Sequence, residues 1–459
     1  MADRNPPVIT RFENGMQLIS ITNELLSASQ IGFTRGSRND PKSCSGMAHD
    51  VEHLLCRGAS PRAVASIRQR FPERPEPVGV RRTDRTYRKF FGGSNGPGIN
   101  VYTLHSHTGY GHQDLFHPRH RNEVFQVLAG NVRDGMYDVR DVRRRDDGIV
   151  TPRAFFVERS AVDNETSGND EHPSMAGYRA ALKTLYRENP ARSWGDADLG
   201  QLSRLKLGTL KQWAQVNIVP ETMRVIIIGP KPHVALRMVR EAKLTEMPHW
   251  ATGPWWYDRS DDVPVLTEVR REELVRRDIA KRHVHMFWPT ETWSTKDAEA
   301  LEVLVGLLKD RIEYDQREEN YEYPGGVYHP EVDWDASSSH GYFMVAFETR
   351  GSDAHVEDLI RRTLDIIDAV KADRSPQFTE DVDDGKFYLA NAYLERYRFM
   401  PGALADQIME HLANGDEKLT KFNSYYDDMM RVSPTRVRNA AAKYLHRDRF
   451  VLTVVRPVP

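Results

Sequence analysis

Gly46-Met47-Ala48-His49-Asp50-Val51-Glu52-His53-Leu54-Leu55 is the stretch on which the reading of this chain turns. Its Ala, Met and Leu content favours a helix. On a helix His49 and His53 project from one face, with Glu52 beside them. Two imidazoles and a carboxylate at that spacing suit a borderline cation such as zinc, which in catalytic sites takes three protein ligands and leaves a position for water. Because Glu52 adjoins a ligand, it is placed to take a proton from that water rather than to hold the metal. The same residues on a solvated helix would ligate nothing, so the reading needs a third ligand from elsewhere in the chain.

Upstream, residues 8–39 read as paired strands with an Asn14-Gly15 turn, and a Gly/Ser/Asn/Asp loop from Gly36 to Asp40 leads into the helix. Downstream, residues 61–89 are rich in Arg and Pro without a sustained period and read as a solvated loop. Gly98–Leu104 reads as a strand. His105, His107, His112, His117 and His120 follow it with neither helical nor hairpin spacing and read as scattered loop histidines. Asn122–Met136 has helical periodicity. In Ala154–Glu165 the carboxylates Glu158 and Glu165 stand two helical turns apart on one face, where one of them could complete the pair of histidines.

Composition sets the frame. A chain of 459 residues with 39% hydrophobic content is too long for one ordinary domain. Its net charge of -2 makes no case for nucleic acid. The opening Met1-Ala2-Asp3-Arg4-Asn5-Pro6-Pro7 has neither the apolar core of a secretion signal nor the character of a transit peptide, and no apolar run is long enough to cross a bilayer. A soluble, cytoplasmic protein without membrane partners is the expectation. Cys44 and Cys56 flank the motif, and a helix between them would hold them too far apart to bond.

An internal duplication is suggested when Val437–Pro457 is laid beside Leu210–Pro230. In each copy an apolar-periodic helix leads through a polar turn to a β-branched strand ending in Pro, Val225-Ile226-Ile227-Ile228-Gly229-Pro230 against Leu452-Thr453-Val454-Val455-Arg456-Pro457. The division expected is a first domain over 1–235, a linker over 236–265 and a homologous second domain over 266–459, which contains no second H-x-x-E-H.

These residues resemble the pitrilysin/insulinase family of zinc peptidases, inverted zincins that include the mitochondrial processing peptidase and related bacterial peptidases. The likeness runs through Gly46–His53, Arg57-Gly58, Asn100-Val101-Tyr102-Thr103, Glu158 with Glu165, Val219-Pro220-Glu221-Thr222-Met223, and Arg317 with Tyr323. The resemblance implies two similar α+β domains, each a mostly antiparallel sheet covered by helices, facing each other like a clam. It further implies that His49, His53 and Glu165 bind Zn2+, that Glu52 is the general base, and that Glu158 supports the site from behind. Asn100 would lie where an edge strand pairs with substrate, while Arg317 and Tyr323 would bind substrate or stabilise the reacting carbonyl.

The activity implied is zinc-dependent endopeptidase cleavage of peptides or unfolded segments, in a homodimer or in a heterodimer with a related subunit. The alternatives are a non-catalytic assembly subunit of the same fold, or a maturation protease dedicated to one peptide. Asp50 departs from the family, which usually has an apolar or aromatic residue there, and implies looser packing or a nearby Arg partner. Glu322 departs too, where a small residue usually precedes the Tyr.

Overall fold

A computed structural model describes residues 6–24, 26–41, 44–56, 99–112, 121–140, 150–186, 203–250, 263–318, 327–337 and 341–458. In chain order its elements begin β1 (Val8–Arg11), β2 (Gln17–Thr22), β3 (Ala28–Phe33), α1 (Met47–Cys56), β4 (Ile99–Thr103) and β5 (Thr108–His112). Next come α2 (Arg121–Arg140), α3 (Pro152–Glu171), α4 (Pro173–Leu185), α5 (Leu207–Asn217), β6 (Met223–Gly229) and α6 (Pro232–Glu241). The later part holds β7 (Arg270–Arg276), β8 (Arg282–Thr290), α7 (Ala298–Glu318), β9 (Val327–Ala336), β10 (Gly341–Thr349) and α8 (Asp353–Ala372). It ends with α9 (Pro376–Phe399), α10 (Pro401–Ala413), α11 (Thr420–Met430), α12 (Pro434–Tyr444) and β11 (Val451–Pro457).

The chain forms an α+β structure with two sheets, ordered β1-β2-β6-β3-β5-β4 and β7-β11-β8-β10-β9. The duplication read from the sequence appears here as topology. From β2 onward the first sheet has a parallel pair, β2 with β6, followed by antiparallel pairs to the edge strand β4. The second repeats this with β7 parallel to β11 and antiparallel pairs to the edge strand β9. The two stretches aligned by sequence, α5 with β6 and α12 with β11, hold matching places. Strand β6 is buried along its whole length between β2 and β3, which is why its Val-Ile-Ile-Ile run lacks polar alternation.

By packing, the chain divides into one unit of residues 1–166, 195–257 and 394–423, and another of 167–194, 258–393 and 424–459. In the first, α1, α2, α5 and α6 cover one face of the sheet around Leu18, Ile31, Phe33, Tyr110, Val225 and Ile227. Helix α10, from late in the chain, packs on β3, β5 and β6. Its approach is close: a Cβ on Gly32 would lie 2.5 Å from Met409 Sδ. In the second unit α7, α8 and α12 cover a core containing Met286, Trp288, Phe343 and Val345. There α4, from early in the chain, lies on the opposite face against Phe287, Tyr342 and Met344. Helix α8 buries Val356, Leu359, Ile360, Thr363, Leu364, Ile367 and Val370 as one stripe of helical period, and Ser352 caps it by accepting from His355 N at 3.3 Å.

Two local expectations change. The stretch read as a linker from 236 begins inside α6, whose Ala235, Met238 and Val239 are buried in the first core. Among the five histidines, His105 and His107 occupy the β4–β5 hairpin, and His107 is 1% exposed with Nδ1 2.9 Å from Ser106 Oγ. His112 ends β5, whereas His117, His120 and the Arg/Pro-rich 61–89 lie outside the described residues.

The loop before α1 is seated on that hairpin. A Cβ on Gly36 would lie 2.2 Å from Leu104 O and 2.5 Å from His107 N, both backbone atoms with no room to yield. Gly36→Ala is therefore expected to lower stability in urea unfolding by about 2–3 kcal/mol, as overpacking against fixed atoms does.

Candidate metal centre

The centre is assembled in the first unit from α1 and α3. Asp40 fixes the start of α1: its carboxylate accepts from Gly46 N at 2.7 Å and from Ala48 N at 3.0 Å, filling the donor vacancies of a helix N-terminus. Gly46 there has φ +91°, a left-handed turn that glycine adopts without strain. Trp213 ties the preceding turn down by donating its indole N–H to Asn39 O at 2.9 Å. Burial pushes the Asp40 carboxyl well up, against the pull of the amide bonds it accepts.

One and two turns into α1, His49 and His53 converge, with their Nε2 atoms 3.2 Å apart. From α3, Glu165 Oε2 lies 3.5 Å from His49 Nε2 and 3.3 Å from His53 Nε2. One turn of helix is thus met by a carboxylate more than a hundred positions later. On the far side of His53, Glu158 Oε2 sits 3.5 Å from Nδ1, so the ring is held between two carboxylates. Its partner turns Nδ1 toward Glu158 and leaves Nε2 facing Glu165. Glu52 is 4% exposed, and the Thr103 hydroxyl of β4, which donates to Ala48 O at 3.5 Å, lies near enough to favour its charged form.

The protonation pattern follows from these contacts. Hydrogen bonds from His49 and His53 hold Glu165 far below the ordinary carboxylate range, against partial burial. Burial disfavours the charged His53, but its bonds to Glu158 and Glu165 outweigh that and hold it up at about 10. Burial also raises Glu52, with the two histidines opposing. Among the described residues, His49, His53 and Glu165 form the group of ligating side chains close enough to share an ion.

Two observations test the fit of zinc to these residues. For tetrahedral coordination with bonds of ~2.0–2.1 Å, neighbouring ligand atoms stand ~3.3 Å apart, and the three separations here are 3.2, 3.3 and 3.5 Å. Asp50, 1% exposed, has no hydrogen-bond partner for either carboxylate oxygen among the described residues. An orphaned buried carboxylate is costly unless positive charge lies near, and a divalent cation on the adjacent histidines would supply it. The donor set fits. Arg159 of α3 adds positive charge near Asp50, although its guanidinium donates to Leu205 O at 3.3 Å and lies over Phe155.

The remaining expected residues are not gathered here. Asn100 lies in β4 opposite Gly111, at the edge of the first sheet. Arg317 falls in the last turn of α7, and Tyr323 lies outside the described residues. Sequence reasoning missed Asp40 and Thr103. An Asp ahead of a helix start is a signal for the first, but six residues of intervening loop hide it; nothing local marks the second.

Replacing Asp50 with Leu removes a buried charge, so in EDTA at pH 8 the metal-free protein should gain about 1–3 kcal/mol in urea unfolding. Its Zn2+ affinity, read by competition with a chromophoric chelator, should fall about tenfold. A less stable metal-free variant would show that Asp50 has a native partner instead.

Residues 204–382 match the family model described as Peptidase M16 inactive domain. No curated protein matches the chain in sequence. Among solved structures, a protease from Helicobacter pylori is similar in fold at TM-score 0.77 and 13% identity, covering 99% of this chain and 100% of that one. A peptidase M16 inactive domain from Pseudomonas fluorescens gives 0.74 and 14%, covering 99% and 98%. A chain of Complex III2 from Candida albicans gives 0.72 and 10%, covering 98% and 95%. At these identities the likeness establishes the fold: the chain has the architecture of M16-like peptidases, with a match to their inactive domain that begins after all of His49, Glu52, His53 and Glu165.

Proposed function

We propose that this chain is a zinc-dependent endopeptidase acting on peptides or unfolded segments. The observation that supports it is the closure of His49, His53 and Glu165 into three ligand atoms 3.2–3.5 Å apart, with the buried Glu52 on the same helix. Zinc held by these three residues would supply a Lewis acid and a water of lowered pKa.

The chain's own groups do the rest. Glu52, raised by burial, takes the proton of the attacking water and delivers it to the leaving amine. Thr103 steadies the Glu52 carboxylate from β4, and Glu158 keeps His53 turned with Nε2 inward. Strand β4 closes one edge of its sheet, so an extended peptide can add there by main-chain hydrogen bonds near Asn100, which gives affinity with loose sequence preference. Arg317 and Tyr323 are assigned to substrate binding and to the oxyanion on the sequence pattern alone.

The likeness to a Complex III2 chain and the word inactive in the matched family favour a second reading, a non-catalytic subunit of the same fold. Glu52→Gln separates the two. On the peptidase reading it binds one Zn2+ as wild type does but lowers kcat for a quenched peptide by about 10³-fold, while His53→Ala loses the metal. Wild-type protein that binds zinc yet cleaves no faster than Glu52→Gln would leave the subunit reading.

A further inference from the structure

Across the sheet from the metal centre, Gln30 of β3, Tyr102 of β4 and Asp406 of α10 form a partly buried polar knot within the first unit. The Tyr102 hydroxyl donates to Asp406 Oδ1 at 2.9 Å. Gln30 Nε2 donates to the same oxygen at 3.1 Å and to the Tyr102 hydroxyl at 2.5 Å. Glycine makes the knot possible: a Cβ on Gly109 would lie 2.5 Å from the Tyr102 ring, which therefore rests flat on β5.

Tyr102 and Thr103 are neighbours on one strand, so their side chains leave it on opposite faces. Tyr102 meets Asp406 on one face, and on the other the Thr103 hydroxyl donates to Ala48 O at 3.5 Å, at the start of the motif helix, and lies close enough to Glu52 to lower its carboxyl. Among the described residues, strand β4 has a ladder to β5 alone. A five-residue edge strand held on one side is prone to fray. The polar knot is a second attachment, at the residue next to the one that touches Glu52.

We infer that Asp406 is a positioning residue: by holding Tyr102 it fixes β4, and through β4 it sets both the Thr103 hydroxyl on Glu52 and the main-chain edge that receives the substrate strand. The consequence for substrate rests on the peptidase reading, while the immobilisation of β4 does not. Asparagine at 406 keeps an oxygen that accepts from Tyr102 and Gln30, whereas alanine removes it.

The test uses the full chain as wild type, Asp406→Ala, Asp406→Asn and Tyr102→Phe, each checked for zinc content and folded fraction. Hydrogen exchange of the amides at 99–103 should quicken about tenfold in Asp406→Ala and Tyr102→Phe, and stay within about twofold of wild type in Asp406→Asn. With a quenched peptide, KM per zinc-loaded molecule should rise about 5–10-fold in Asp406→Ala and Tyr102→Phe, with a smaller fall in kcat and rescue by Asp406→Asn. Unchanged exchange at β4 overturns the inference. So does an Asp406→Asn variant as impaired as alanine, or a loss that vanishes once activity is scaled to folded protein. If wild type cleaves nothing, the peptidase reading fails by itself, and exchange at 99–103 still decides the role of Asp406.

Discussion

The register of α1 against α3 is the constraint on which the centre depends. A helix rises ~1.5 Å per residue, so a slip by one position turns a side chain by about 100° and carries it off the shared face. His49 and His53 meet Glu165, and His53 meets Glu158, in a single register. That register is set at the beginning of α1. Asp40 holds the first amides, Gly46 makes the left-handed turn into the helix, and Trp213 pins the preceding residue. At the sheet end, the Thr103 contact with Glu52 ties the same helix to β4. Helix propensity alone would scarcely form a ten-residue element, still less place it to within the few tenths of an ångström that a shared cation requires.

What could be read from the sequence follows from the range of each interaction. The i, i+4 histidines and the i, i+7 glutamates are local periodicities, and both fall where the pattern puts them, as do the buried β6 and the repeated helix and strand pair. Asp406, Tyr102 and Gln30 carry no such signal, because each is an ordinary polar residue until the sheet and α10 are assembled. The same holds for the composition of the units. That α4 folds with the second sheet and α10 with the first depends on which apolar faces are left uncovered, and a linear division of the chain cannot express it. His107 reads as a loop residue beside other histidines, yet it is buried because the hairpin turn closes over it.

The repeated topology also explains how one fold can carry a candidate metal centre in one copy and, among the described residues, none in the other. Helix α7 stands between β8 and β9 as α1 stands between β3 and β4. Where α1 offers His49, Glu52 and His53, α7 buries Ala300, Leu301, Val303, Leu304, Leu307 and Leu308. The second unit spends that helix on its core, and the segment matched to the inactive-domain family, residues 204–382, includes α7 but not α1.

The two uses differ in cost. Around two imidazoles the first unit collects Glu52, Glu158 and Asp50, all buried, and the half-exposed Glu165. Without a cation, His53 answers by keeping its proton, held at about 10 by Glu158 and Glu165 despite its own burial. Asp50 is left with no such partner among the described residues. A core selected for stability alone would replace these carboxylates with apolar groups of similar volume, as α7 does. Retaining four of them beside one pair of histidines is the arrangement a positive charge would reward, since metal and proton compete for the same nitrogen. The local instability and the proposed chemistry therefore have a common physical source, the negative charge that α1 and α3 hold in one place.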